Sequence, residues 1–454
     1  MSEPKIAENK MGVMPVPKLL VSMSLPMMIS MLVQALYNIV DSIFVARISE
    51  NALTAVSLAF PIQNLMIAVA SGTAVGINAL LSRSLGEKKF EEADKAAENG
   101  LFLALVSYIA FAIFGVFGSR IYFESQTDVA EIVEYGVEYM SIVLIVSMGL
   151  FFAITQERLL QATGNSFYSM ISQISGALTN IVMDPILIFG LLGMPKLGVA
   201  GAAIATVMGQ LVSMVVSLCL NLWKNKEIHL SIRGFKPDLR IISIIYTVGV
   251  PSAIMMAIGS ILTYYYNKIL LLFSSTAVSV YGVYFKLNSF IFMPVFGLNS
   301  GMIPIIAYNY GARNKKRILD TTKLSVAVAT AIMILGIIIF QTIPDKLLGM
   351  FDASENMLEI GVTAFRIVSI SFIFAGYNII IGSVFQAFGN GVYSLIVSVV
   401  RQLVVILPVA YFLAINFGLD EIWWSYPLSE IVAVILSTVF FIRLYRQKIR
   451  YIEN

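Results

Sequence analysis

Cysteine and histidine are almost missing from this chain of 454 residues, which has one of each, Cys219 and His229. A single cysteine excludes an internal disulfide and any multi-cysteine metal site, and reads as apolar packing. His229 falls in a basic loop and reads as a solvated residue rather than a ligand. Without an intramembrane histidine, a nucleophile beside its base, a metal-ligand cluster or a soluble catalytic domain, an enzyme is not expected, and neither is a cofactor. Charge is scarce too: Asp, Glu, Lys and Arg make up 13% of the residues and leave a net charge of +3, and no nucleic-acid partner is expected. What remains is 58% hydrophobic, with a mean hydropathy of +0.85, more apolar surface than a water-soluble fold can hide. The chain is expected to be an all-α integral membrane protein.

Apolar windows of roughly 20 residues, the length that crosses a bilayer as a helix, recur twelve times between residues 19 and 444. The polar start, residues 1–17, precedes an apolar run too long for a signal-peptide core, so no cleaved segment is expected. Basic residues crowd onto one side: Lys5, Lys10 and Lys18, then Arg83 to Lys95, the linker 224–240 including Arg233, Arg313 to Lys323, and Arg443 to Arg450. Only Arg47, Arg120, Lys196, Lys346 and Arg366 fall on the other. The positive-inside rule then puts both termini in the cytoplasm. The organisation follows as a tail (1–17), a first lobe of six helices (18–223), a cytoplasmic linker (224–240), a second lobe of six (241–445) and a tail (446–454).

The two lobes are copies. An offset of 225 residues pairs Pro26 with Pro251, Phe60 with Phe285, Gly72 with Gly297, Gly76 with Gly301 and Gly86 with Gly311, and aligns "QATGNSFYS" (161–169) with "QAFGNGVYS" (386–394) without a gap. Six helices return the chain to its starting side, so the copies run parallel, an architecture that places a transport site between two rocking halves. Pro26 and Pro251, each inside a first helix, remove a backbone hydrogen bond and are candidate hinges.

A charge near the bilayer centre costs roughly 2.5–3.5 kcal/mol, so each one needs a partner, a cavity or a function. Glu157 and Arg158 are placed at the inner end of the fourth helix, as a mutual pair or snorkelling to the interface. Asp41 differs: Gln34, Tyr37, Asn38 and Asp41 share one helical face. On the fifth helix Gln173, Gly176, Ala177, Asn180 and Asp184 do the same. Counted at 1.5 Å per residue, Asp41 lies about 9 Å below the outer end of its helix, and Asp184 and Thr206 about 12 Å below theirs. Asp41, Asn180, Asp184 and Thr206 could therefore share a layer that holds a proton or supplies oxygens to Na+, or the acids could merely tie helices together. In the second copy Tyr266, Val405 and Val409 replace the acids and the amide, while Lys268, Lys286 and Arg401 appear, either pairing with Glu430 or facing a cavity near Asn288. Candidate cavity residues are Gln34, Tyr37, Asn38, Gln63, Asn64, Tyr266, Lys268, Lys286 and Asn288.

Taken together, "SLPMMISMLVQALYNIVDSIFVARI", "SRSLGEKK", "AYNYGARN", "QATGN" and "QAFGN" resemble the multidrug and toxic compound extrusion (MATE) family, over nearly the whole chain. The resemblance implies a V-shaped fold of six plus six helices in a bacterial cytoplasmic membrane, working as a monomer. It implies export of amphipathic, often cationic drugs against H+ or Na+, with the coupling ion at Asp41, Asn180, Asp184 and Thr206. The acids that mark a sodium-coupled branch in the seventh and tenth helices are absent here. A flippase for a lipid-linked oligosaccharide is the alternative, to which Lys268, Lys286 and Arg401 would be suited.

Overall fold

The computed structural model describes residues 9–231, 235–351 and 353–452. Lys5 and Arg233 of the basic side, residues 1–8 of the first tail and the last two residues lie outside that range. Long apolar runs interrupted only by short polar turns fold as helices because a helix satisfies its own backbone hydrogen bonds, the requirement for crossing a bilayer. Among the described residues ten helices are long and apolar enough to span one, and two bent helix pairs, each taken as one span, bring the number to twelve.

In chain order these are α1 (Val16–Ala46), α2 (Glu50–Gly86), α3 (Phe90–Phe117), α4 (Ala130–Ile145 with Met148–Ala162), α5 (Ser166–Phe189) and α6 (Val199–Lys224). The second half contains α7 (Leu239–Leu271), α8 (Ser275–Gly311), α9 (Lys315–Thr342), α10 (Glu355–Ser369 with Phe372–Ala387), α11 (Gly391–Asn416) and α12 (Leu419–Ile449). Bends of 45° in α4 and 47° in α10 fall at equivalent places of the two copies, beside Ser147 and Ser371. Both α1 and α7 run unbroken through Pro26 and Pro251. In α11 a π-helical stretch, Val400–Ile406, just before Pro408 holds Arg401 and Gln402.

The first half has an apolar core of its own, the core of the second takes in Leu19, Leu20 and Met23 of α1, and the halves meet through α1 against α8, α2 against α7 and α2 against α8. The glycines that the repeat aligns lie in those contacts. A Cβ on Gly72 would come within 2.7 Å of the Ala253 backbone nitrogen, and one on Gly297 within 2.5 Å of Met28 Cα. Closer to the termini, Gly86 abuts the backbone of Tyr308, and Gly311 that of Arg83. These pairs map onto one another under the offset of 225, so the pseudo-two-fold is built from reciprocal backbone contacts. Small residues permit this approach, which brings dispersion and packing where the hydrophobic effect is absent. The Asn64 side chain donates to Ser260 Oγ at 3.1 Å, a bond between the halves farther from the termini.

The end that holds both termini is closed. Asn9 donates to the Thr163 carbonyl at 3.0 Å in the first half, and its Oδ1 caps the short helix Lys10–Val13. From the second half, Asn309 donates to Met11 O at 3.0 Å, and Arg317 donates to Met11 O and Met14 O at 2.8 Å each. This strap crosses from one half to the other. Glu227 of the linker lies beside Asn9, and burial raises its carboxyl above the ordinary range.

Candidate functional site

Helices α1, α4, α5 and α6 converge on one polar cluster in the first half. Asp41 and Asp184 face each other closely enough for their carboxyl groups to hydrogen-bond. Turned with its nitrogen toward Asp184, the Asn180 amide donates to Oδ2 at 3.0 Å and accepts from the Thr206 backbone N–H at 3.1 Å. Tyr37 and Tyr139 bring their hydroxyls to Thr206 and near both acids, and Gln63 donates to the Tyr139 hydroxyl at 3.0 Å. Asp184 and Asn180 are buried, whereas Asp41 and Tyr37 are half-buried. Asp41 Oδ1 and Asp184 Oδ1 are enclosed yet have no protein hydrogen-bond partner among the described residues.

Two carboxylates in contact repel unless a proton or a cation lies between them. The cluster can supply either environment: a hydrogen-bonded acid pair, or oxygens from two carboxylates, an amide and a hydroxyl. Among the described residues no group of three His, Cys, Asp or Glu could bind a transition metal.

On the predicted face of α1, Gln34 and Asn38 are exposed while Tyr37 and Asp41 turn toward α5. Gln63 belongs to the acid cluster through Tyr139 rather than to an open wall, and Asn64 bonds across the halves. Tyr139 was not legible from the sequence: Tyr135 lies one turn before it on the same segment, and only the bend and packing of α4 bring Tyr139 to Thr206.

The second half fills the equivalent position with rings. Tyr266 is fully buried and so lines no cavity. Its ring lies 4.8 Å from that of Tyr281 and 5.4 Å from that of Tyr426, and its hydroxyl is 3.3 Å from Ser425 Oγ. A tyrosine without a charge can be buried once its hydroxyl has a partner, which is why this residue packs where Asp41 cannot. Lys268 is exposed over the Tyr264 ring at 4.6 Å, Lys286 is exposed 5.9 Å from the Phe351 ring, and Asn288 is half-buried.

Arg401 is paired. It meets Glu430 at 2.9 Å, and Asn378 donates to the same carboxylate at 2.6 Å. Glu430 is only 6% exposed. Removal of the cation alone in Arg401→Ala is expected to cost about 3–5 kcal/mol, because a buried carboxylate loses its partner. A fall in the melting temperature of the purified protein checks this, and Glu430→Gln in the same chain is expected to recover most of the loss.

A family model described as MatE matches residues 26–186 and 251–412, one segment in each half. The chain belongs to the MATE family. The "Multidrug export protein MepA" of Staphylococcus haemolyticus is 25% identical over 421 residues, 92% of each chain. That of Staphylococcus aureus is 25% identical over 445 residues, 96% of this chain and 95% of the relative. A solved structure described as the outward-facing conformation of a multidrug resistance MATE family transporter superposes with a TM-score of 0.91, at 25% identity, covering 98% of this chain and 99% of that one. The protein is thus a MATE-type multi-pass membrane transporter with two lobes of six helices.

Proposed function

We propose that this MATE transporter exports amphipathic, often cationic compounds by proton-coupled antiport, with the proton held at the Asp41–Asp184 pair. The contact between two carboxyl groups supports this reading most directly: one proton turns a repulsive pair into a hydrogen bond, and its loss restores a charge on a helix that faces the other lobe. Asn180, Thr206, Tyr37 and Tyr139 position the acids, so a change in their charge can deform α1 and α5. The closed end at the termini and the contacts through Gly72, Gly86, Gly297 and Gly311 fit an outward-facing state. Basic residues on that same side support a cytoplasmic location for both termini. Within this reading the protein sits in the bacterial cytoplasmic membrane and works as a monomer, with Pro26 and Pro251 as hinges for the rocking lobes. A lipid-phosphate flippase is not favoured, because Arg401 is neutralised by Glu430 and the two exposed lysines lie against different aromatic residues.

Purified protein in vesicles tests the coupling. An imposed pH gradient, acid on the side opposite the tails, is expected to drive a cationic dye toward that acid side, with the gradient collapsing as dye moves. A response to a sodium gradient alone would assign the pair to Na+; a response to neither would overturn ion-coupled antiport.

A further inference from the structure

A third acid lies deep in the first lobe, and it does not pair with its neighbour. Glu157 had been expected to pair with Arg158 or snorkel; instead it is 7% exposed and forms no ion pair within 4.0 Å among the described residues, while Arg158 donates to Gln161 Oε1 at 2.8 Å. Two serines from different helices hold the carboxylate. Ser172 Oγ of α5 lies 3.0 Å, and Ser213 Oγ of α6 2.8 Å, from the same Glu157 Oε1. The two hydroxyls are also 2.9 Å from each other, Ser172 Oγ is 2.9 Å from Ser213 O, and Ser213 Oγ is 3.2 Å from Ser172 O.

These five oxygen–oxygen contacts share only the two hydroxyl hydrogens, since each serine donates once. A hydrogen on Glu157 Oε1 would raise the number to three: the carboxyl then donates to one serine, whose hydroxyl is free for the opposite carbonyl. With the acid ionised both hydroxyls donate to Oε1, so the two serines can satisfy either state of a buried carboxyl that has no ion-pair partner among the described residues. Other groups facing Glu157 are Gln173 of α5 and Arg158 of its own helix.

Its place along the helices connects it with the acid pair. On α5, Asp184, Asn180, Gly176 and Ser172 repeat every fourth residue on one face. On α6 the matching face has Thr206, Gly209, Ser213, Ser217 and Asn221. Between the acid pair and Glu157 the column narrows to Gly176 and Gly209, whose backbones touch: a Cβ on either would lie 2.8 or 2.6 Å from the other's carbonyl oxygen. Beyond Glu157 polar groups continue toward the termini. Ser217 donates to Gln156 Oε1 at 3.1 Å, Asn221 to Gln156 O at 2.9 Å, and Asn225 to Asn221 Oδ1 at 3.0 Å.

We propose that Glu157 is a second proton-carrying site, between the Asp41–Asp184 pair and the side that holds the termini. In the step assigned to it, a proton bonds to Glu157 Oε1, neutralising the carboxylate. It is then released to solvent on the side of the termini, leaving Glu157 with one negative charge. The glycine neck separates the two acid sites, so transfer between them accompanies a rearrangement of α5 against α6. This inference rests on proton coupling as proposed above.

Vesicles containing the full-length protein, a cationic dye and a pH gradient test it, with dye binding to detergent-solubilised protein measured in parallel. Glu157→Gln keeps an oxygen for both serines but cannot carry a proton. It is expected to bind dye with unchanged Kd, to lose gradient-driven accumulation at least tenfold, and to lose its dependence on pH at the side of the termini. Glu157→Asp is expected to restore part of both. Accumulation by Glu157→Gln at the unmodified rate with the same pH profile overturns the proposal, as does equal loss in both variants with dye binding intact. If Glu157→Gln fails to bind dye, Ser213→Ala decides: a displaced pH profile supports the site, and an unmoved one overturns it. An unmodified protein that ignores the pH gradient overturns proton coupling itself, a result distinguishable from failure of this site alone.

Discussion

Asp41→Asn is expected to reduce gradient-driven dye accumulation to the level of vesicles without protein, while expression and dye binding persist. The substitution keeps the size of the side chain and a hydrogen bond to Asp184, but removes the group that can alternate between neutral and charged. Mutual hydrogen bonding also makes the two acids one unit. Asp184→Asn should therefore be as severe, and the double substitution no worse than either, the non-additivity expected of residues acting together. Comparing the three accumulation rates under one imposed gradient checks this. Retention of more than about a tenth of the unmodified rate, equivalent to roughly 1.4 kcal/mol at most, would show that the pair does not bear the coupling ion. Loss of dye binding along with transport would point to a binding role for Asp41.

The second large effect is expected where the halves touch. A side chain at Gly72 has nowhere to go: its Cβ would already lie 2.6 Å from Gly249 O and 2.7 Å from the Ala253 nitrogen. Overpacking of this sort costs about 1–3 kcal/mol, borne only by the conformation in which α2 and α7 are together. Gly72→Leu should thus move the protein away from the conformation in which the end holding the termini is closed, and slow transport at least fivefold. With Cys219 replaced by serine, a cysteine at Met11 reports the change: opening of the strapped end raises its reaction with a membrane-impermeant maleimide. Gly282→Leu is the control, since no atom lies within 4 Å of the Cβ that would be added on that α8 residue, and it should leave both readouts within about twofold.

Much of the scaffold was readable along the chain because the relevant signals are local. Apolar runs the length of a bilayer declare helices, and the offset of 225 declares two copies. The absence of acids from the second copy at the positions of Asp41 and Asp184 restricted the coupling proposal to the first lobe. Glycine spacing was visible as well, though its purpose was not: Gly72 and Gly297 matter because of backbones that approach them from the opposite half.

Other assignments depended on which faces meet. Helical periodicity put Gln34, Tyr37, Asn38 and Asp41 on one stripe, but the rotation of α1 against α5 left Gln34 and Asn38 exposed and turned Tyr37 and Asp41 toward Thr206 and Asp184. Tyr266, expected at a cavity wall, lies among Tyr281, Trp423 and Tyr426. Glu157 and Arg158 are adjacent in sequence, yet consecutive helical residues point about 100° apart, and Glu157 is held by Ser172 and Ser213 instead. The sequence by itself determined that this protein spans a membrane with two parallel copies of six helices and places its acids asymmetrically, because length, hydropathy and repetition are properties of the chain alone. Only the tertiary structure decided which acid touches which partner and where the lobes close, because those contacts join residues as far apart as Asp41 and Asp184, and depend on the rotation and crossing of whole helices.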